Sequence, residues 1–148
     1  MTTVAAYGIS FDVPPGWDAR IYQRPAGPGE STHPVLHAAN FGLPAQRADY
    51  GGGAVEIMGP QNVFMALLEF QPTSVGDALF SSGQPERLDP TAFSPASLQR
   101  AIPGQAGTQV FFSASGRAFG LYSVLGSWTS RTSLVSLVNG ALTGLRIL

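Results

Sequence analysis

Residues 108–126, TQVFFSASGRAFGLYSVLG, read as a β-hairpin. Two apolar, aromatic-rich arms meet at Ser115-Gly116, a dipeptide that supports a tight two-residue turn. With those two residues as the loop, Ala114 faces Arg117, Phe112 faces Phe119 and Val110 faces Leu121. Side chains alternate along a strand, so Val110, Phe112, Phe119, Leu121 and Leu125 share one face. Phe111, Ala118, Tyr122 and Val124 share the other. A hairpin with one wet side alternates apolar and polar residues. Here both faces are apolar, which predicts a place inside a sheet covered on both sides.

Upstream, Tyr7–Val13 (YGISFDV) alternates as a half-buried strand with Tyr7, Ile9, Phe11 and Val13 on one face. Pro14-Pro15-Gly16 stops it, because prolines cannot donate to a ladder and Gly permits the turn. After Trp17, residues 18–23 are expected to pair back on the first strand. Residues 24–34 (RPAGPGESTHP) form a loop by composition, and Val35–Phe41 resumes strand character. Tyr50–Met58 contains three successive glycines and allows one short helix. Val63–Phe70 (VFMALLEF) is apolar on both faces and predicts a central strand.

Residues 72–90 are irregular, with a short helix expected over Ser74–Phe80. Ser94-Pro95 has the form of an N-cap followed by Pro at the first helical position. Residues 130–143 have the clearest helical period, with Leu134, Leu137, Val138, Ala141, Leu142 and Leu145 at three- and four-residue steps. Gly144 ends that helix, and Leu145–Leu148 suit a last short strand. Together these elements predict one α+β domain over residues 1–148, an antiparallel sheet with helices covering its faces and a long C-terminal helix.

Composition narrows the function. Of 148 residues 44% are hydrophobic and only 11% charged, about half the usual charged share, which points to a folded chain with some surface covered by a partner. Net charge is −1, and the eight arginines are scattered from Arg20 to Arg146. Nucleic-acid binding calls for a basic patch, so it is not expected. Absence of cysteine excludes disulfides and thiolate chemistry. The N-terminus lacks the basic and apolar regions of a signal peptide, and Val63–Leu68, the longest apolar run, is too short for a membrane span. A cytoplasmic location is expected.

Phe11-Asp12-Val13-Pro14-Pro15-Gly16-Trp17 resembles the strand, Pro, Gly-Trp opening of the PsbP-like superfamily. That group includes an extrinsic photosystem II subunit, a Ran-binding nuclear import factor and bacterial lipoproteins of the LpqN type. The resemblance implies an α/β/α sandwich and a role in binding other proteins. It carries over no catalytic residue, and the lipoprotein leader with its cysteine is not matched in this chain.

Candidate chemistry is sparse. His33 and His37 are four apart, the spacing of two ligands on a helix, but Pro34 and the run VLHAANF favour loop and strand. Glu56 and Glu69 lie in apolar stretches where a raised pKa would suit acid–base work; pairing with Arg and a place near the surface are the simpler reading. No G-x-S-x-G elbow occurs, and Gly51-Gly52-Gly53 lacks the residues of a phosphate or dinucleotide loop. No cofactor, metal or catalytic residue is assigned. Trp17, Trp128 and Arg24 stand as possible interface residues, Trp being enriched at binding hot spots. The expected function is a non-enzymatic protein-binding or assembly module, acting on another protein or through self-association. Its partner surface would be residues 24–34 or 72–90. The alternative is a small-molecule or lipid-binding domain, or an enzyme, with an apolar pocket between sheet and helix near Phe64, Met65, Phe111 and Phe112.

Overall fold

A computed structural model describes residues 2–148. The hairpin stands as the sequence predicts: β6 (Ala106–Ala114) and β7 (Arg117–Leu125) are joined by Ser115-Gly116. Ala114 faces Arg117, Phe112 faces Phe119 and Val110 faces Leu121. Both turn residues have positive φ, 53° at Ser115 and 74° at Gly116, which matches the right-handed twist of the flanking strands.

Strand β7 lies deep in a five-stranded antiparallel sheet with β3 (Asp18–Tyr22), β4 (Val35–Ala39) and β5 (Val63–Glu69), in the order β3-β4-β5-β7-β6. A second antiparallel sheet has three strands, β1 (Thr2–Ala6), β2 (Ile9–Val13) and β8 (Leu145–Ile147), in the order β1-β2-β8. Helix α1 (Arg131–Leu142) carries the chain from β7 to β8.

One face of the large sheet buries Leu36, Met65, Leu67, Phe112, Phe119 and Leu121 against the small sheet and α1. The small sheet contributes Ile9 and Phe11, and the helix Leu134, Val135 and Val138. The opposite face buries Tyr22, Phe64, Ala66, Tyr122 and Val124 beneath coil that brings in Phe41, Tyr50, Val55 and Ile102.

This corrects the expected fold class. The fold is dominated by two antiparallel sheets, with α1 the one α-helix among the described residues; it is neither a sheet covered by helices nor the α/β/α sandwich that the resemblance implies. The cause is visible in the connections. Residues 40–62 carry Pro44, three glycines at 51–53 and Gly59-Pro60, and residues 70–105 carry five prolines. Proline removes the N–H that a helix interior needs. These segments therefore reach only single 3₁₀ turns: Val55–Ile57, Pro72–Gly76, Ala78–Phe80, Pro90–Ala92 and Pro95–Ser97. At the last of them the Ser94 hydroxyl accepts from the Ala96 N–H, as its cap signal predicts.

Four local expectations change as well. Residues 2–6, not read as a strand, form β1. Tyr7 and Gly8 make the β1–β2 turn at φ 54° and 73°, so Tyr7 is exposed rather than core-facing. Strand β3 pairs with β4 and not with β2. Leu137 is 45% exposed and Val135 takes the buried position instead.

Candidate functional site

On the coil-covered face of the large sheet, β3 and β4 present a line of polar groups that hold residues 41–50 in place. Asp18, Arg20 and Tyr22 alternate to this side of β3, and His37 sits opposite Arg20 on β4. The Asp18 carboxylate accepts from the Leu43 N–H at 2.8 Å. The Arg20 guanidinium donates to the carbonyl oxygens of Pro44 and, at 2.9 Å, Gln46. It also donates to His37 Nδ1, at 3.1 Å from Nη2. That contact makes Nδ1 the acceptor, so Nε2 carries the proton and donates to the Asp49 carbonyl at 3.0 Å.

His37 is fully buried, edge-on to Tyr22 at 5.3 Å and Phe64 at 5.1 Å between ring centroids. Burial pushes its pKa down to about 4, and the nearby Arg20 charge adds to the effect. Burial also lowers the pKa of Arg20 and raises that of Tyr22. The Tyr22 hydroxyl donates to Asp49 Oδ1 at 3.0 Å, and Arg24 Nη2 lies 3.2 Å from Asp49 Oδ2. Arg47 stacks over the Tyr22 ring, 5.3 Å from its centroid.

Two shallow depressions flank Asp49 and Tyr50. The smaller, about 230 Å³, lies at the base of the 24–34 loop and is lined by Arg24, Ser31, His33, Tyr50, Glu69 and Phe70 among others. Here His33 Nε2 is buried with no hydrogen-bond partner. The larger, about 290 Å³, is lined by Tyr50, Val55, Glu56, Gln99, Arg100 and Tyr122 among others. Tyr50 packs edge-on against Tyr122 at 5.5 Å, and the Tyr122 hydroxyl accepts from the Gln99 N–H.

The structure therefore brings His33 and His37 to one side of the molecule without joining them as ligands. Both ring nitrogens of His37 are engaged by protein groups. Among the described residues no group of three or more His, Asp or Glu side chains is placed to hold a metal ion. Glu56 pairs with Arg100 at 2.7 Å and Glu69 with Arg117 at 2.6 Å. Ser113 and Ser115 donate to the carbonyls of Phe80 and Ile147, and Ser127 bonds Thr129.

The three expected interface residues lie apart. Trp17 is partly buried against the core between the two sheets. Trp128 is 39% exposed at the entry to α1, with the Arg131 guanidinium 4.5 Å above its ring. Arg24 alone borders a depression, and its side chain is 56% exposed. Residues 72–90 do not project as a loop: Phe80 packs with Phe70 and Phe111, and the Asn139 side chain bonds both the N–H and the carbonyl of Leu88. Sequence reasoning passed over Arg20, Tyr22 and Arg47; the one available signal was the alternation of Asp18, Arg20 and Tyr22 along β3. No family model, curated protein or solved structure matches the chain.

Proposed function

We propose that the protein is a non-enzymatic binding or assembly module that engages another protein through the 24–34 loop and the depression at its base. One observation carries this reading. The polar groups that anchor residues 41–50 are engaged with each other, whereas two groups at the loop base lack a full set of partners: the exposed Arg24, whose guanidinium meets Asp49 alone, and the buried, unpartnered His33 Nε2. A buried polar atom with no partner costs free energy, and a docking partner that supplies the missing hydrogen-bond partner removes that cost.

Native mass spectrometry on protein gently purified from its own host tests the reading. The expected result is a stoichiometric protein adduct that disappears when residues 25–31 are replaced by a Gly-Ser linker of equal length. An adduct that survives the replacement, or a bare monomer from the unaltered chain, overturns it.

A second reading, a small-molecule site, draws on the depression between Tyr50 and Tyr122. Its rim is closed by the Glu56–Arg100 pair and its floor is aromatic. The same spectra would then carry a small retained mass on the monomer.

A further inference from the structure

Residues 41–50 lie against the buried His37, and side chains fasten them there. Among the described residues, no backbone–backbone hydrogen bond ties this stretch to a strand. Its polar anchors are Asp18 on the Leu43 N–H, Arg20 on the carbonyls of Pro44 and Gln46, His37 on the Asp49 carbonyl, and Tyr22 on the Asp49 carboxylate. Phe41, Leu43 and Tyr50 add apolar contacts. Glycines flank the anchored residues: Gly42, with open space where a Cβ would stand, and Gly51 and Gly53 at φ 86° and 93°.

Two of these anchors also touch each other. Arg20 Nε and Nη2 lie 3.3 and 3.1 Å from His37 Nδ1, an arrangement that needs the lone pair of that nitrogen. A proton on Nδ1 removes the lone pair and sets two cations at contact distance in a buried site, where their repulsion is weakly screened. A guanidinium does not release its proton, so the conflict is relieved only by movement. The other charged and titratable groups around the ring are Asp18 and Tyr22 on β3, Asp49 and Arg47 on the covering segment, and Arg24, which reaches the Asp49 carboxylate. Strand β5 presents only Phe64 and Ala66. Asp49 favours the imidazolium, but burial and the Arg20 charge outweigh it.

We propose that residues 43–50 form an acid-sensitive latch: protonation of His37 at Nδ1 sets it against the Arg20 guanidinium, and the segment that these two residues hold swings off the sheet between Gly42 and Gly51–Gly53. The ladder of β3 with β4 stays closed, because the strain is confined to side chains and to coil. Asp49 and Tyr50 line both depressions, so release of the latch dismantles both.

Histidine is the side chain that changes charge between pH 7 and pH 5, and the chain has two, His33 and His37, and no cysteine. With a pKa of about 4 in the closed state and 6.5 for a freed ring, that change of pH favours any state that frees His37 by about twentyfold.

Hydrogen exchange followed by NMR and corrected for the intrinsic effect of pH tests the latch on the unaltered chain. Two amides report on it: Leu43, bonded to the Asp18 carboxylate, and Gly51, bonded to the Ala48 carbonyl. Both should be less protected than the amides of β5 at either pH, and their protection should fall about twentyfold from pH 7 to pH 5. His33→Gln should show the same fall and His37→Gln none.

Protection of Leu43 and Gly51 that does not change with pH overturns the proposal. So does protection equal to that of β5 throughout, which would mean that the segment opens only when the whole molecule unfolds. A fall that survives in His37→Gln overturns it as well. Should that variant fail to fold, the ring resonances of His37 in the unaltered chain decide: a ring that titrates while Leu43 keeps its protection overturns the latch.

Discussion

His37 shows how one buried side chain ties pH to stability. It is held neutral in the native state, with a pKa near 4 against an ordinary 6.5. As pH falls below 6.5 the unfolded chain takes up a proton that the folded chain refuses, so stability is lost between pH 6.5 and about 4 and changes no further below that. The loss is on the order of 3 kcal/mol, readable from urea unfolding at a series of pH values. His37→Gln should flatten this slope while lowering stability at neutral pH. Asp12 titrates outside that window: hydrogen bonds from Arg146 and Thr3 hold its pKa at about 2, so its contribution is present above the usual carboxylate value and fades only below it. A slope between pH 6.5 and 4 that survives in His37→Gln would place the responsible group elsewhere. Gly51 is a second sensitive residue. Its φ is 86°, and an added Cβ would lie 2.5 Å from the Phe64 ring. Gly51→Ala should cost at least about 2 kcal/mol, seen as a lower urea midpoint at an unchanged slope.

Among the elements, the β6–β7 hairpin carries the most consequence. Phe112 and Phe119, stacked at 5.5 Å, are both fully buried. Phe119→Ala should cost about 3–5 kcal/mol, and Gly116→Ala, at a left-handed turn position, about 1 kcal/mol; thermal unfolding of the two variants would rank them. A larger loss at Gly116 than at Phe119 would mean that the turn, not the stacked pair, holds the register. Register was legible here because turn length and period-two alternation act within a few residues, and a slip by one would put every core side chain on the wrong face. Helix α1 was legible for the same reason, although Leu137 shows that the width of the buried stripe was not. The small sheet was hidden. Its outer strand, Thr2–Ala6, is mostly exposed, and its third strand, Leu145–Ile147, is only three residues long. Neither offers a strong local pattern.

At the scale of the molecule, Arg117 joins the two sheets. It bonds both oxygens of Glu69 on β5, at 2.9 and 2.6 Å, and its Nη2 also donates to the Tyr7 carbonyl in the β1–β2 turn. Replacing Arg117 with Met leaves the largely buried Glu69 carboxylate uncompensated, so a loss of about 2–3 kcal/mol is expected. Adding Glu69→Gln should recover part of it, giving a clear coupling in a double-mutant cycle. Additive losses would show that the pair contributes nothing as a pair. Hydrogen exchange should find β4, β5 and β7 slowest, since each is paired on both edges and buried on both faces, and residues 24–34 fastest.

What the sequence determined by itself was local: the hairpin and its facing pairs, the central rank of Val63–Glu69, the helix at 131–142, and the proline and glycine stops between them. Each follows from turn chemistry or from a hydrophobic period spanning a few residues. Tertiary structure alone decided which strand β3 would choose, that a second sheet would cover the core, and that His37 would be buried against Arg20. It also brought Arg47 over the Tyr22 ring, far along the chain from Arg20 and Arg24. Those outcomes depend on burying both faces of one sheet at once. That requirement is met by contacts between residues distant in the chain, and no short stretch of sequence records it.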